Sequence, residues 1–426
     1  MVLRGLRGDG RGWTLLAIAA GWVFVLGGRF LVPAVLPQVK TAFAVGDVGV
    51  GVAVTIIWAS YGLMQTPAGL LVDRVGERRL LAGSVVLTTI SVVVIGAAPA
   101  FLAFLVGCAG FGLATGLYGP ARGTALSRTF PDHDGAAIGA TLAAGSVGSA
   151  VLPLAAGALV GTVGWRLLVG GLAVPFAAAG VLIWATVPSF SGGDSAAADT
   201  TLADDGVLSA DNAATTDDGS STADTTATGD EPATNGVPIG EVIAAIGTRQ
   251  VAIAVTALTL MTFVFQGVSA FYVTYLTSVG EFAQSTAAAM FALVFVGGAI
   301  AQVVAGSLAD TFGDRPVLVV VAAATVPVLA VIPLLDSLLA VAVASLLLGI
   351  RLGVPAVSNA YIIAVLPESV TGTAWGVIRT TSFLLAATGS TVVGVFADRG
   401  LFDEAFVVLA GVTAVGTLLY TRLPAR

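Results

Sequence analysis

Two arginines, Arg29 and Arg351, interrupt long runs of apolar residues. At 1.5 Å per residue, Arg29 lies about 24 Å into a helix over 13–36 and Arg351 about 21 Å into a helix over 337–360. If these helices cross a bilayer, each charge costs about 2.5–3.5 kcal/mol at that depth and needs a partner. A guanidinium stays charged and pairs a carboxylate or phosphate through two parallel hydrogen bonds. Both arginines therefore predict binding of a substrate anion. Hydrogen bonds to backbone carbonyls or to Gln and Asn side chains are the alternative.

Other reactive residue types are scarce. The only Cys, Cys108, lies in an apolar run, and the only His, His133, lies between acidic residues, so no Cys–His pair or zinc site is expected. We predict no enzyme activity, no cofactor and no metal. Proton-driven carriers usually hold a titratable group within the membrane, and no Asp or Glu is expected at the depth of the two arginines. This favours facilitated diffusion, exchange, or symport in which the substrate brings the proton.

The composition indicates a membrane protein. Hydrophobic residues make up 57% of the chain and charged residues 10%, whereas soluble domains carry about 25% charged residues. No basic face is available for nucleic acid. A helix crosses the hydrocarbon layer with about 20 residues. The apolar runs predict an all-α integral membrane fold with twelve spans, over 13–36, 47–71, 79–98, 100–122, 136–160, 165–187, 250–277, 284–308, 316–334, 337–360, 373–397 and 403–421.

The sixth and seventh spans are separated by a long polar segment, residues 189–239. It holds ten of the 25 acidic residues, no Lys or Arg, and almost no large apolar residue, which predicts disorder. The predicted organisation is a six-helix bundle over 1–188, an acidic linker over 189–239, and a second six-helix bundle over 240–426.

Orientation follows from the positions of the basic residues. Cytoplasmic loops are enriched in Lys and Arg. With the N-terminus inside, the outer side receives Lys40, Arg166 and Arg399, and the inner side receives Arg4, Arg7, Arg11, Arg74, Arg78, Arg79, Arg128, Arg249, Arg315, Arg422 and Arg426. This predicts a multi-pass protein of the plasma membrane, most simply a monomer, with both termini and the linker cytoplasmic.

An internal repeat relates the two halves. Segment 69–81 (GLLVDRVGERRLL) resembles segment 306–318 (GSLADTFGDRPVL) at an offset of 237 residues, and the same offset relates Gly135 and Gly139 to Gly372 and Gly376. Parallel repeats of this kind occur in one class of secondary transporter. Charges at helix ends can pair across a gap between bundles. We therefore predict a cytoplasmic gate formed by Asp73, Arg74, Gly76, Arg78, Asp310, Gly313 and Arg315, the alternative being a plain positive-inside anchor.

Segment 69–81 resembles the cytoplasmic signature of the major facilitator superfamily, and 306–318 resembles its counterpart in the second half. Arg29-x3-Pro33-x2-Leu-Pro37 and Gly164-Trp165-Arg166 add to the likeness. The resemblance implies two six-helix bundles that rock about a cavity lined mainly by helices 1, 4, 7 and 10, with helices 2, 5, 8 and 11 at the bundle interface. Helix 4 lacks the arginine of many proton-driven drug exporters, and Cys108 lies near that position.

The 237-residue offset also pairs polar residues of the two halves. Gln266 corresponds to Arg29, and Asn359 corresponds to Arg122. With Arg351 these residues form the predicted substrate site, and Arg379 is a weaker candidate near the inner end of its helix. Aromatic candidates are Tyr61 and Tyr272, followed by Trp58, Tyr118, Tyr275 and Tyr361, although aromatic residues at this density are more often packing or interfacial residues.

The sequence thus predicts a secondary active or facilitative transporter of a small organic anion that works by alternating access, with the lipid bilayer and the anion as its partners. Efflux of hydrophobic or cationic compounds is the alternative, although deep acids would be expected for it. A membrane sensor would need a folded cytoplasmic module, which 189–239 does not resemble. An integral-membrane enzyme is the least favoured reading.

Overall fold

The computed structural model describes residues 10–189 and 239–424. The predicted linker lies almost entirely outside the described residues. Within them, twelve helices are long and apolar enough to cross a membrane, which confirms the predicted all-α class. These helices, α1 to α12, are Arg11–Ala34, Asp47–Val75, Glu77–Ala97, Phe101–Thr129, Asp134–Val163, Trp165–Thr186, Arg249–Ser278, Gln284–Phe312, Asp314–Leu334, Leu338–Val365, Glu368–Ala397 and Phe402–Tyr420.

Helices α1–α6 pack into one bundle and α7–α12 into a second. The bundles meet along α2 with α11 and along α5 with α8, as the resemblance implies for the bundle interface, and α1 also contacts α7. Two short helices lie outside the spans, Leu36–Phe43 after α1 and Ile239–Ile246 before α7.

Several helices extend beyond the predicted apolar runs at one end. For example, α2 continues to Val75 and α8 to Phe312, each stopping at a glycine. Gly76 and Gly313 have φ of 82° and 86°, which L side chains rarely adopt. The last turns of α2 and α8 are polar but remain helical because water solvates their side chains. Each helix therefore ends at its glycine, where the backbone conformation changes, and not where the hydrophobic run ends.

We call the end of the molecule where α1 begins and α2 ends the basic end, because Arg11, Arg74, Arg249 and Arg315 lie there. The other end, with Lys40, Arg166 and Arg399, is the opposite end.

Close helix contacts depend on small residues. A Cβ atom at Gly148 of α5 would overlap the backbone of Val23 in α1, and a Cβ at Gly389 of α11 would overlap the backbone of Phe263 in α7. Backbones approach this closely only where no side chain intervenes. These contacts hold α1 close to α5 and α7 close to α11. Helices α1 and α7 contact each other across the two bundles.

Candidate functional site

A cavity of about 250 Å³ lies between the two bundles. Its wall is formed by α1, α2, α5, α7, α8, α10 and α11, and it lies near the middle of these helices and extends toward the basic end along α5, α10 and α11. Helix α4, which the resemblance implies as a lining helix, contributes no residue to this wall. Its Thr115 instead lies behind Arg29.

Arg29 of α1 lines the cavity among aromatic rings. Its Cζ lies 3.7 Å from the ring centroid of Tyr61 and 5.3 Å from that of Trp58. Its Nη2 donates a hydrogen bond of 3.2 Å to the carbonyl oxygen of Thr115. Ring faces attract a cation without neutralising it. Arg29 is therefore held in place by the Thr115 carbonyl and by the rings of Tyr61 and Trp58.

Arg351 lies where α10 changes its helical geometry. The residues Gly349–Leu352 form a 3₁₀ turn between the α-helical segments Leu338–Leu348 and Gly353–Val365. The Nη2 of Arg351 donates to the carbonyl oxygen of Met261, and its Cζ lies 5.0 Å from the ring centroid of Phe265. The side chain is 4% exposed, and its Nε has no partner among the described residues. This guanidinium thus faces the cavity without a carboxylate from the described chain.

Two further polar groups complete the wall. Arg379 of α11 places its Cζ 5.8 Å from the ring centroid of Phe383 and 5.9 Å from that of Trp375. Gln266 of α7 is 1% exposed, and its Oε1 has no hydrogen-bond donor among the described residues. Among the described residues that line the cavity there are three arginines and no Asp, Glu or His. The cavity is therefore electropositive.

The structure brings most of the predicted substrate residues together. Arg29, Arg351, Gln266, Asn359 and Tyr61 all line the cavity. So do Trp58 and Arg379.

Arg122 does not line the wall. It is fully buried behind it, with its Cζ 4.5 Å from the Trp22 ring and its Nη1 donating to Thr141 Oγ1 at 2.7 Å. Arg122 therefore supports Trp22 from behind.

Tyr272, which the sequence analysis named as a candidate substrate residue, does not line this cavity. It is fully buried inside the second bundle, where its hydroxyl lies 2.6 Å from Ser345 Oγ of α10. Likewise, Tyr118 donates to the carbonyl oxygen of Ile18, and Tyr275 to Asp403. Each of these tyrosine hydroxyls has its hydrogen-bond partner within its own bundle.

Sequence reasoning missed most of the aromatic wall. The additional lining rings are Trp22, Phe30, Phe265, Phe295, Trp375 and Phe383. The internal repeat contained part of the signal, because Phe295 corresponds to Trp58 and Phe383 to Ser146 at the same offset of 237, and all four line the cavity.

The predicted gate residues lie at the basic end, outside the cavity. Asp73, Arg74 and Asp310 are exposed, and Gly76 and Gly313 form the turns described above. Arg315 is half-buried.

The first of these segments, 69–81, makes its ring contact and its ion pair within the first bundle. The Cζ of Arg78 lies 4.5 Å from the Trp184 ring of α6, and Glu77 pairs with Arg128 of α4 at 2.7 Å. In this conformation these contacts fasten α3 to its own bundle.

The opposite end is closed by contacts that cross between the bundles. The carboxylate of Asp398, just after α11, accepts hydrogen bonds from the backbone N–H groups of Asp47 at 2.5 Å and Val48 at 3.0 Å. These groups form the N-terminus of α2, where a negative charge is favoured. Gln284 of α8 also donates to the carbonyl oxygen of Ala34 at 2.7 Å.

Aromatic packing adds to this closure. The ring centroid of Phe30 lies 4.6 Å from that of Phe295 and 5.8 Å from that of Phe265. The cavity is therefore separated from the opposite end by an aromatic layer and by polar contacts.

Comparisons with known proteins agree with this architecture. A family model described as Major Facilitator Superfamily matches residues 17–283 and 258–426. No curated protein gives a significant match. A bacterial homologue of the human lysosomal transporter Spinster, in an inward-facing and unoccupied conformation, is 15% identical with a TM-score of 0.73, and the alignment covers 97% of this chain and 96% of that chain.

Its inward-facing and occupied form gives 15% identity, a TM-score of 0.72 and 96% coverage of both chains. A point variant of the nucleoside transporter NupG is 11% identical with a TM-score of 0.74, covering 97% of this chain and 98% of that chain. At such identities the likeness establishes a shared fold.

Proposed function

Because the chain belongs to the Major Facilitator Superfamily, a family of transporters, we propose that it carries a small organic anion across the plasma membrane by alternating access. One observation carries this proposal. Arg29, Arg351 and Arg379 line a single cavity whose described wall contains no carboxylate.

The arginines are divided between the two bundles, and this division suggests how an anion acts. Arg29 belongs to the first bundle, while Arg351 and Arg379 belong to the second. Like charges repel strongly in a poorly solvated space. An anion between the bundles neutralises this repulsion, which favours closing the cavity around the cargo.

The orientation of the cycle follows from the positive-inside rule. With the basic end and both termini cytoplasmic, the described conformation is the one whose central cavity extends toward the cytoplasm. Asp73, Arg74, Gly76, Arg78, Asp310, Gly313 and Arg315 then form the gate that closes this end in the other conformation. The helices α2 and α8 that carry Asp73 and Asp310 both lie at the bundle interface.

The residues of the cavity wall also indicate whether transport is coupled to proton movement. Among its described residues it has no Asp, Glu or His that could take up a proton near neutral pH. We infer facilitated diffusion, exchange, or symport in which the proton travels on the substrate.

The test uses purified protein and paired variants. A thermal-shift panel of organic anions and drug-like cations identifies a ligand, since a ligand of the folded state raises the unfolding temperature. Uptake of that anion into proteoliposomes should be abolished by Arg29→Gln and by Arg351→Gln. Arg166→Gln is the matched control, because Arg166 lies at the opposite end and donates to the carbonyl oxygen of Ala98.

Efflux of hydrophobic or cationic compounds is the second candidate, favoured by the aromatic wall of the cavity. It predicts transport of a cation or neutral compound that survives both cavity substitutions. That result would refute the anion proposal, whereas loss of uptake in Arg166→Gln as well would show a general folding defect.

A further inference from the structure

We propose that the cargo is an aromatic carboxylate, a flat ring system carrying one acid group. This inference rests on the proposed anion transport and specifies its substrate class. It is carried by the arrangement of rings and cations in the cavity wall.

The rings that line the cavity come from both bundles. Trp58 of α2 and Phe383 of α11 face the cavity with planes only 5° apart and ring centroids separated by 6.2 Å. The Tyr61 ring stands against Phe383 at 84°, with its centroid 5.2 Å away. Flat faces and ring edges at these separations are the geometry in which aromatic groups pack best. A planar ligand continues this packing across the bundle interface.

Each ring wall also lies beside a cation. The Cζ of Arg29 is 5.3 Å from the Trp58 centroid, and the Cζ of Arg379 is 5.8 Å from the Phe383 centroid. In the second bundle, Arg351 is 5.0 Å from the Phe265 centroid. A ligand that matches this pattern has a ring and a negative group a few ångströms apart. An aromatic carboxylate meets both requirements.

Other classes of anion fit the wall less well. A compact hydrophilic diacid pairs its carboxylates with the arginines but leaves the apolar ring faces of the wall without a partner. A saturated anion of the same size keeps the charge but loses the flat contact. The cavity volume of about 250 Å³ is below the roughly 300–1,000 Å³ of sites for drug-sized ligands, which points to one or two fused rings.

The experiment measures binding to the detergent-purified full chain by isothermal titration calorimetry. Four ligands separate the contributions: naphthoate, its neutral analogue naphthamide, its saturated analogue decahydronaphthalene carboxylate, and succinate. We expect naphthoate to bind about five- to tenfold more tightly than the saturated acid, in the range that aromatic pairs supply. It should also bind more tightly than naphthamide and succinate.

Two variants locate the ring site. Phe383→Leu should weaken naphthoate about five- to tenfold and change the saturated acid less than twofold, because leucine fills the volume without a flat face. Trp184→Phe is the control, since Trp184 packs on Arg78 outside the cavity. It should leave all affinities unchanged.

The outcomes distinguish this inference from the proposed function. Tighter binding of succinate or of the saturated acid, abolished by Arg351→Gln, would overturn the aromatic cargo and leave anion transport standing. Equal binding of naphthamide and naphthoate, or binding of none of the three acids, would overturn both. Equal weakening of naphthoate and the saturated acid by Phe383→Leu would also overturn the ring site.

Discussion

Replacing Asp398 with asparagine should shift the protein toward the conformation that is open at the opposite end. In the described conformation the Asp398 carboxylate spans the two bundles and accepts hydrogen bonds from the backbone N–H groups of Asp47 and Val48. Opening this end must break both bonds, because they join α2 to the residue that follows α11.

The magnitude follows from the number and kind of these bonds. Hydrogen bonds to charged groups contribute about 1.5–3 kcal/mol each, and loss of a helix N-cap costs about 0.5–2 kcal/mol. Asparagine keeps one acceptor oxygen, and Asp398 is exposed to solvent, so the lower part of these ranges applies. A loss of about 1 kcal/mol changes the ratio of the two conformations about fivefold.

Cysteine labelling can measure this ratio. Ser390 of α11 is fully buried at the bundle interface, where its hydroxyl donates to the carbonyl oxygen of Gly51. In a Cys108→Ala background, Ser390→Cys becomes reactive toward a maleimide only when the interface opens. Adding Asp398→Asn should raise the labelling rate about fivefold.

Two further variants test whether the loss of the Asp398 hydrogen bonds to the N-terminus of α2 causes the faster labelling. Asp403→Asn removes an acid at the same end whose partner, Tyr275, lies within its own bundle, so the labelling rate should stay unchanged. Gly46→Ala keeps every charge but places a methyl group 2.7 Å from Asp398 Oδ2, so the rate should rise. An unchanged rate with Asp398→Asn, or an equal rise with Asp403→Asn, would refute the reasoning.

Two other predictions concern packing and the linker. Gly148→Ala should lower the unfolding temperature in detergent, because its Cβ would overlap the Val23 backbone and overpacking costs about 1–3 kcal/mol; Gly161→Ala in the same helix meets open space and should leave the temperature unchanged or higher. Deleting residues 195–235 should leave proteoliposome transport largely intact, since the segment is polar and nearly free of large apolar residues; loss of transport with normal membrane insertion would contradict this.

The architecture could be predicted from the sequence because it depends on long-range regularities. Twelve apolar runs gave the helices, and the 237-residue offset gave the two halves. The offset also paired Gln266 with Arg29, and the structure places both in the cavity wall. Counting residues along the helices placed Arg29 and Arg351 well inside their spans, and both side chains are buried.

The rotational position of individual side chains could not be predicted in the same way. Tyr61 of α2 and Tyr272 of α7 both lie on apolar helices and both are buried, yet only Tyr61 lines the cavity. Successive residues of an α-helix point about 100° apart, so a small error in a helix's rotation exchanges a wall residue for a packing residue. In an all-apolar helix the sequence offers no polar face to fix that rotation.

The closure by Asp398 was missed for another reason. The sequence places this acid at the end of a span, where it reads as an ordinary interfacial charge. Its partners are backbone N–H groups more than 300 residues away, and backbone groups carry no sequence signal. Only the packing of α2 against α11 reveals the contact.

The 3₁₀ turn in α10 has a thermodynamic consequence. Such turns have weaker hydrogen-bond geometry than the α-helical segments on either side, so α10 bends more easily there than elsewhere along its length. Because Arg351 lies within this turn, bending moves its charge relative to α7. A ligand bound to Arg351 stabilises one bend of α10. By thermodynamic reciprocity, the same bend raises the affinity of the site for that ligand. Ligand occupancy of the site and the bend of α10 are then coupled, so that a change in one shifts the other.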